Sequence, residues 1–272
     1  MTARRFLVDR AELPAAGEAT AVLRGPEHHH LSRVLRMKVG ESVSLFDGAG
    51  RGLHGTIESI ERDRTIVRVT EPDDRAVEPA LQVILAQGIP KHDKMDLIIQ
   101  KTTEIGVAGI LPIIAERSTA RAGGGTGRLA RWRRIAAEAA RQSGRLMVPQ
   151  ILEPSAWPDV ATVLGAPPAQ TRIVLDTTPG AGRAPIALTG TNSAVVAVGP
   201  EGGWSESELG LAGQLGFTKG DLGSRTLRTE TAGILSVGIL LFLAGDLGAR
   251  PSIGLGRAAG ACEPAAKKRG GG

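Results

Sequence analysis

Gly199-Pro200-Glu201-Gly202-Gly203 stands directly after an apolar run, Ala194 to Val198, and before Ser205-Glu206-Ser207-Glu208, the pattern of a helix cap. A loop joining a strand end to a helix start is where α/β proteins place ligands. Its glycines let the backbone adopt positive φ and let a ligand approach the amides. The stretch lacks the Gly-Lys-Ser/Thr of a Walker loop and does not fit the dinucleotide fingerprint, which disfavours a nucleotide hydrolase. Alone, such a stretch is more often an ordinary turn. A second segment adds to it: Leu222-Gly223-Ser224-Arg225-Thr226-Leu227-Arg228-Thr229-Glu230-Thr231-Ala232 carries a glycine turn and two arginines into the last helical stretch. A guanidinium beside a reacting group stabilises negative charge as it develops. The alternative role for Arg225 and Arg228 is an ion pair with Glu201 or Glu230.

A third set is cationic. Between Arg117 and Arg145 there are eight arginines and one acid, Glu138. At about 100° per residue, Leu129, Trp132, Ile135, Ala136 and Ala139 share one helix face, and Arg131, Arg134, Glu138 and Arg141 the other. Arg145 lies in line if the helix continues. Guanidinium forks bind phosphate oxygens bidentately, so the stripe is an RNA candidate; a solvated helix face is the competing reading. The consecutive His28-His29-His30 cannot converge on one point and have no acidic or cysteine partners, so no metal site is expected. His30 packs or touches RNA. Asp93 reads as a helix N-cap, and Trp204 as an anchor of the glycine loop. Lys94 and Lys101, a helical repeat apart, fit a solvated face as well as an RNA contact.

The elements that must position these residues alternate. Leu81 to Ala86, Gly109 to Ile114, Arg172 to Leu175 and Ala194 to Val198 read as strands; His92 to Ile105, Arg128 to Gln142, Glu206 to Leu215 and Glu230 to Leu247 read as helices. That order predicts an α/β domain with a mainly parallel sheet. Upstream of the break at Glu71-Pro72-Asp73-Asp74-Arg75, short strands at Ser42 to Phe46, Leu53 to Ile60 and Thr65 to Val69 predict a small β-barrel, with one helix around Glu27 to Arg36. The expected domains are residues 1–75 and 76–248. The uncharged stretch Thr231 to Gly245 is too short to span a membrane and reads as a buried or dimer-interface helix.

At 272 residues and 42% hydrophobic composition the chain can build one large or two modest cores. The net charge of +5 is uneven. Arg250, Arg257, Lys267, Lys268 and Arg269 against Glu263 hold most of it, in a Gly/Ala-rich stretch, 249–272, read as a disordered basic tail. A single cysteine, Cys262, excludes a disulfide framework and points to a reducing cytoplasm. Met1 to Arg10 has no apolar signal-peptide core.

Several separated segments together resemble the 16S ribosomal RNA uracil-N(3) methyltransferase family, the RsmE-like branch of the SPOUT class. They are Arg5-Phe6; His30-Leu31-Ser32-Arg33-Val34-Leu35-Arg36 with Gly40; Lys94 and Gln100-Lys101-Thr102-Thr103-Glu104-Ile105-Gly106; Glu138 and Gln142-Ser143-Gly144-Arg145 with Pro149; and the two glycine segments. Only the Gly123-Gly124-Gly125 insertion and the stretch beyond Gly248 fall outside. The resemblance implies a PUA-like β-barrel followed by a SPOUT domain with a C-terminal trefoil knot, which patterning alone would never suggest.

It further implies that S-adenosylmethionine is held by three loops. These map onto Leu175-Asp176-Thr177-Thr178, Gly199-Pro200-Glu201-Gly202-Gly203 and Leu222-Gly223 through Leu227. The implied reaction is methylation of N3 of a uridine near the decoding site, by a homodimer acting on the assembled small subunit. No metal is needed, since the donor is already activated. Arg228 is the first catalytic candidate, Arg225 the second, and Glu201 a possible proton acceptor. Arg5, His30, Arg33 and Arg36 of the barrel join Arg131, Arg134, Arg141 and Arg145 as candidate RNA contacts. Two rivals stand beside this reading. A SPOUT ribose 2′-O-methyltransferase would bring Asn- and Arg-bearing motifs not found here, and a noncatalytic RNA-binding adaptor would bind no donor.

Overall fold

The computed structural model describes residues 4–9, 12–14, 19–118, 125–164, 170–176, 184–188 and 190–248. Thr177, Thr178, Cys262 and the expected tail 249–272 lie outside the described residues.

The N-terminal part is a five-stranded sheet. It is built from β1 (Arg4–Leu7), β2 (Thr20–Arg24), β3 (Ser42–Phe46), β4 (Gly52–Ile60) and β5 (Arg64–Pro72), with α1 (Gly25–His29) running on into a wider turn over His30–Val34. The order β1-β3-β4-β5-β2 leaves β1 and β2 as edges among the described residues, so the hydrogen-bonded ladder is open where a closed barrel was expected. Alternate residues Val43, Leu45, Ile57 and Val67 turn inward onto Phe6, Leu23 and Leu31, as a half-buried sheet requires.

The second part is a seven-stranded, all-parallel sheet. It comprises β6 (Gln82–Gly88), α2 (Lys94–Ile105), β7 (Gly109–Ile113), α3 (Gly125–Ser143), β8 (Gln150–Ile151), α4 (Val160–Leu164), β9 (Thr171–Leu175), β10 (Ala184–Pro185), β11 (Ser193–Val198), α5 (Glu206–Gln214), β12 (Thr218–Asp221) and α6 (Thr229–Leu243). The order is β10-β12-β9-β11-β6-β7-β8. The chain winds outward from β6 to β8, returns on the other side with β9, and then inserts β11 between β9 and β6. Each sheet face buries its own cluster, one around Leu85, Ile98, Ile110 and Leu240, the other around Leu111, Trp157, Val195 and Trp204. Burial on both faces explains the unbroken apolar runs of β6 and β11. β12 escapes a sequence reading because Thr218-Lys219-Gly220-Asp221 is polar; Gly220 is needed there, since a Cβ would lie 2.4 Å from Ile173.

α6 packs on α2, β6 and β11 through Gly233, Val237 and Leu240, while Leu235, Phe242 and Leu243 stay exposed. Among the described residues no helix is long and apolar enough to cross a membrane. The two parts are joined by a polar hub. Arg145, 4% exposed, donates to Glu78 at 2.7 Å and to the carbonyls of Thr103 and Val107. Glu78 in turn accepts from the amides of Leu146 and Met147. From the other side Arg5 donates to the Arg145 carbonyl at 2.7 Å and sits by Asp73, whose carboxylate Arg75 grips with two nitrogens.

Candidate active site

The C-terminal end of β9 and the loops that follow β11 and β12 meet at one place. A cavity of about 460 Å³ is lined by Leu175, Asp176, Gly199 to Trp204, Thr226 to Thr229 and Ala232, with Lys94 and Arg117 on its rim. A contiguous cavity of about 270 Å³ adds Gly220 to Arg225. Leu175-Asp176 and the two glycine segments, far apart in sequence, thus share one pocket. It lies at the carboxyl ends of parallel strands, where the strand order reverses.

The loops are held by a small set of bonds. Gln87, fully buried at the end of β6, donates to the carbonyls of Gly88 and Val198 and to the Thr229 hydroxyl at 2.9 Å. Thr229 donates on to the Gly199 carbonyl at 2.5 Å, so the start of α6 is fastened to the glycine loop. Ser205 caps α5 in a reciprocal box with Glu208, the cap expected from the sequence. Trp204 anchors the loop by an edge contact with Trp157 at 5.1 Å. Gly203 (φ 67°) and Gly223 (φ 105°) hold conformations that a side chain rarely adopts, with open space where a Cβ would stand.

The charges divide in two. Lys94 donates to Glu201 at 2.8 Å and lies 3.5 Å from Glu230, so the acids that the alternative role would pair with Arg225 and Arg228 are taken by a lysine. Burial disfavours the Glu201 carboxylate, but the hydrogen bonds from Lys94 and the backbone N–H groups outweigh it and hold the carboxyl below its ordinary range. Arg225 and Arg228 are exposed, and among the described residues no hydrogen bond or ion pair engages either guanidinium. Asp176 at the pocket wall is paired with Lys219 at 3.0 Å.

The expected RNA stripe is different in kind. α3 ends at Ser143, and Gly144 (φ 83°) reverses the chain, so Arg145 leaves the stripe and turns into the hub. Arg5 is drawn into the same hub, stacked 5.0 Å from the Phe46 ring. Arg141 is mostly buried against Glu27 of the N-terminal part at 2.6 Å. Arg131 pairs with Asp96 and Asp93. Acids absent from the helix itself arrive from other elements. Arg134, Arg33 and Arg36 remain exposed without acidic partners among the described residues, and His30 packs edgewise on Phe6. Asp93 occupies the N-cap of α2, but its side chain makes no cap bond. Lys94, read from its spacing as a solvated face or an RNA contact, and Arg117, counted only in the arginine run, line the pocket; Gln87, which fastens the loops from below, was not singled out by composition or periodicity. Gln87, a polar residue ending an apolar strand, was the available signal.

An apolar floor of Leu175, Val198 and Leu227 under a rim of charge and backbone groups suits a nucleoside-like ligand, and the parallel sheet with its strand-end pocket defines an α/β ligand-binding domain beside an accessory β-sheet. A family model for an RNA methyltransferase domain matches residues 77–241, and one for an RNA methyltransferase PUA domain matches residues 23–70. The chain belongs to this RNA methyltransferase family. Ribosomal RNA small subunit methyltransferase E of Mycobacterium tuberculosis is 32% identical over 255 residues, covering 88% of this chain and 91% of the relative. Its namesake in Bacillus subtilis is 29% identical over 258 residues, covering 88% and 96%. A crystal structure of ribosomal RNA small subunit methyltransferase E from Neisseria gonorrhoeae bound to S-adenosyl methionine superposes with a TM-score of 0.79 at 32% identity, covering 89% of this chain and 98% of that one.

Proposed function

We propose that this protein transfers a methyl group from S-adenosylmethionine to N3 of a uridine in 16S ribosomal RNA, within the small subunit near the decoding site. The observation that carries the reading is the convergence of the β9 end, Leu175-Asp176, with the loops after β11 and β12 on one pocket. The pocket fits the donor: Gly203 and Gly223 keep the wall free of side chains, and the floor is apolar. Leu175, Asp176, Gly199 to Gly203, Leu222, Gly223 and Leu227 would hold it, with Thr177 as a further candidate. When bound, the donor supplies an activated methyl group.

What the chain's residues do follows from their charge. Arg228, seconded by Arg225, faces the pocket without a counter-ion and stabilises negative charge developing on the uracil. Glu201 is a weak base because Lys94 and the Lys91 amide hold it ionised; it is assigned to positioning, not to proton removal. The N-terminal sheet, residues 1–75, presents Arg33 and Arg36 to RNA, with Arg134 of the 76–248 unit as a further contact. α6 forms a homodimer contact through Leu235, Phe242 and Leu243, supported by their exposure. A trefoil knot is supported by the late insertion of β11 between earlier strands and by α6 packing back on β6 and β11. The protein works in the cytoplasm, where ribosomes are made.

The test is methyl transfer to small subunits that lack the mark, followed by nucleoside mass spectrometry. 3-Methyluridine is the expected product. A ribose 2′-O-methyl nucleoside identifies the other reaction class, and a protein that binds no donor is an adaptor.

A further inference from the structure

Behind Pro200 and Glu201 of the pocket, the Gly88–Asp93 loop forms a wall against a second cavity. On the far side of the Gly88–Asp93 loop lies a groove of about 660 Å³, lined by Lys91, His92, Arg128, Arg131 and Trp132 together with the acids Asp93 and Asp96. The wall is firmly built. The Lys91 amide donates to both Glu201 oxygens at 3.2 Å, the Ser118 hydroxyl donates to the Ile89 carbonyl at 2.9 Å, and a Cβ at Gly88 would stand 2.5 Å from the Pro200 ring. At its crest His92 holds φ 58°, a left-handed conformation that is costly for a residue with a side chain. Among the described residues its imidazole has no hydrogen bond or ion pair, and none of them explains why histidine, and not glycine, stands there.

The groove is net positive, with Lys91, Arg128 and Arg131 against Asp93 and Asp96. Arg131 is braced by Asp96 and Asp93. Arg128 lies 6.0 Å from the Trp132 ring, and neither Arg128 nor Lys91 has an acidic partner among the described residues. An enzyme that works on a base must take it out of its stack and hold the strand on either side. Single-stranded RNA is gripped by cations along the backbone and by rings against its bases.

We propose that this groove seats the RNA strand next to the methylated uridine: Lys91 and Arg128 take flanking phosphates, His92 meets the neighbouring base, and the target base crosses the loop into the donor pocket. This rests on the functional reading above and adds where the substrate lies. Neither Lys91, His92 nor Arg128 belongs to the α3 stripe that the sequence suggested.

The experiment compares wild-type protein, the double variant Lys91→Gln/Arg128→Gln, His92→Gly, and Arg133→Gln as a charge control on α3 beside Glu153. Each is assayed on unmethylated small subunits across a salt series, with donor affinity followed by calorimetry. The double variant should raise KM for subunits at least about tenfold, leave donor affinity unchanged, and flatten the log–log salt dependence by about 1.4 to 1.8, as expected for two lost phosphate contacts. His92→Gly should keep or raise the thermal midpoint, because glycine accepts the left-handed backbone, while KM still rises. A merely structural histidine would not divide those two readouts. Arg133→Gln should match wild type. Unchanged KM and slope in the double variant, with wild-type transfer intact, overturn the groove alone. A raised KM with an unchanged slope points to a protein contact and also overturns it. A wild-type protein that transfers no methyl group to subunit RNA overturns the functional reading, and the groove with it.

Discussion

Two groups of arginines that look alike in the sequence serve opposite ends in the fold. Arg5, Arg141 and Arg145 are buried or nearly so and engaged by Asp73, Glu27 and Glu78, joining the N-terminal sheet to the parallel sheet. Arg225 and Arg228 are exposed at the pocket with no internal partner among the described residues. The difference teaches that charge counted along a chain does not say what is left for a ligand. Acids brought in by tertiary structure neutralise the first group, and Lys94 frees the second by occupying Glu201 and Glu230.

The comparison can be broken most forcefully at the hub. Arg145→Ala leaves Glu78 without its charge partner and strips donors from the Thr103 and Val107 carbonyls. Removing one partner of a buried pair costs about 3 to 5 kcal/mol. Urea denaturation should show a loss of that order, and a loss below about 1 kcal/mol would mean that Arg145 is not the tie between the two parts.

A smaller effect is expected from acid. The hydrogen bonds from Arg75 hold the Asp73 carboxyl down at about 2, below its ordinary range. Because the folded state favours the ionised form, this stabilisation is fully present above about pH 4 and is lost as pH falls toward 2. Its size is on the order of 2 kcal/mol. Asp73→Asn should therefore flatten the acid limb of the stability curve, and an unchanged limb would remove Asp73 from the hub.

The smallest effect separates the residual stripe from the hub. Arg134→Gln should reduce the salt slope of subunit binding by about 0.7 to 0.9 without changing the thermal midpoint. Arg141→Gln should instead lower stability, because its partner Glu27 is then left half-buried and alone. If the two variants behave alike, the distinction between free and neutralised arginines fails.

How much of this was legible in the chain depends on where the information lies. The period of Leu129, Trp132 and Ala136 gave α3 and its buried face, and the apolar run before Gly199 gave β11 with its loop. Local patterns suffice there because each element buries a single coherent face or is buried on both. The fate of Arg145 hung on one glycine, Gly144, whose positive φ ends the helix before the stripe is complete. The partners Asp96, Glu27 and Glu78 are 35, 114 and 67 residues away from their arginines, beyond any periodicity argument. β12 is polar because a short strand next to an edge strand has little apolar surface to bury, and β8 and β10 are two residues each. The pocket's glycine loops could be read as loops; that Lys94 reaches both of the acids near them could not.

The central claim is that the cations left unpaired at the pocket do the chemistry. It is tested most directly by the single-turnover rate of methyl transfer to small-subunit RNA by Arg228→Ala, at saturating donor and substrate. Loss of a charge-assisted hydrogen bond worth about 1.5 to 3 kcal/mol in the transition state predicts a rate lower by roughly ten- to a hundred-fold, with donor affinity nearly unchanged. A rate equal to wild type would contradict the account.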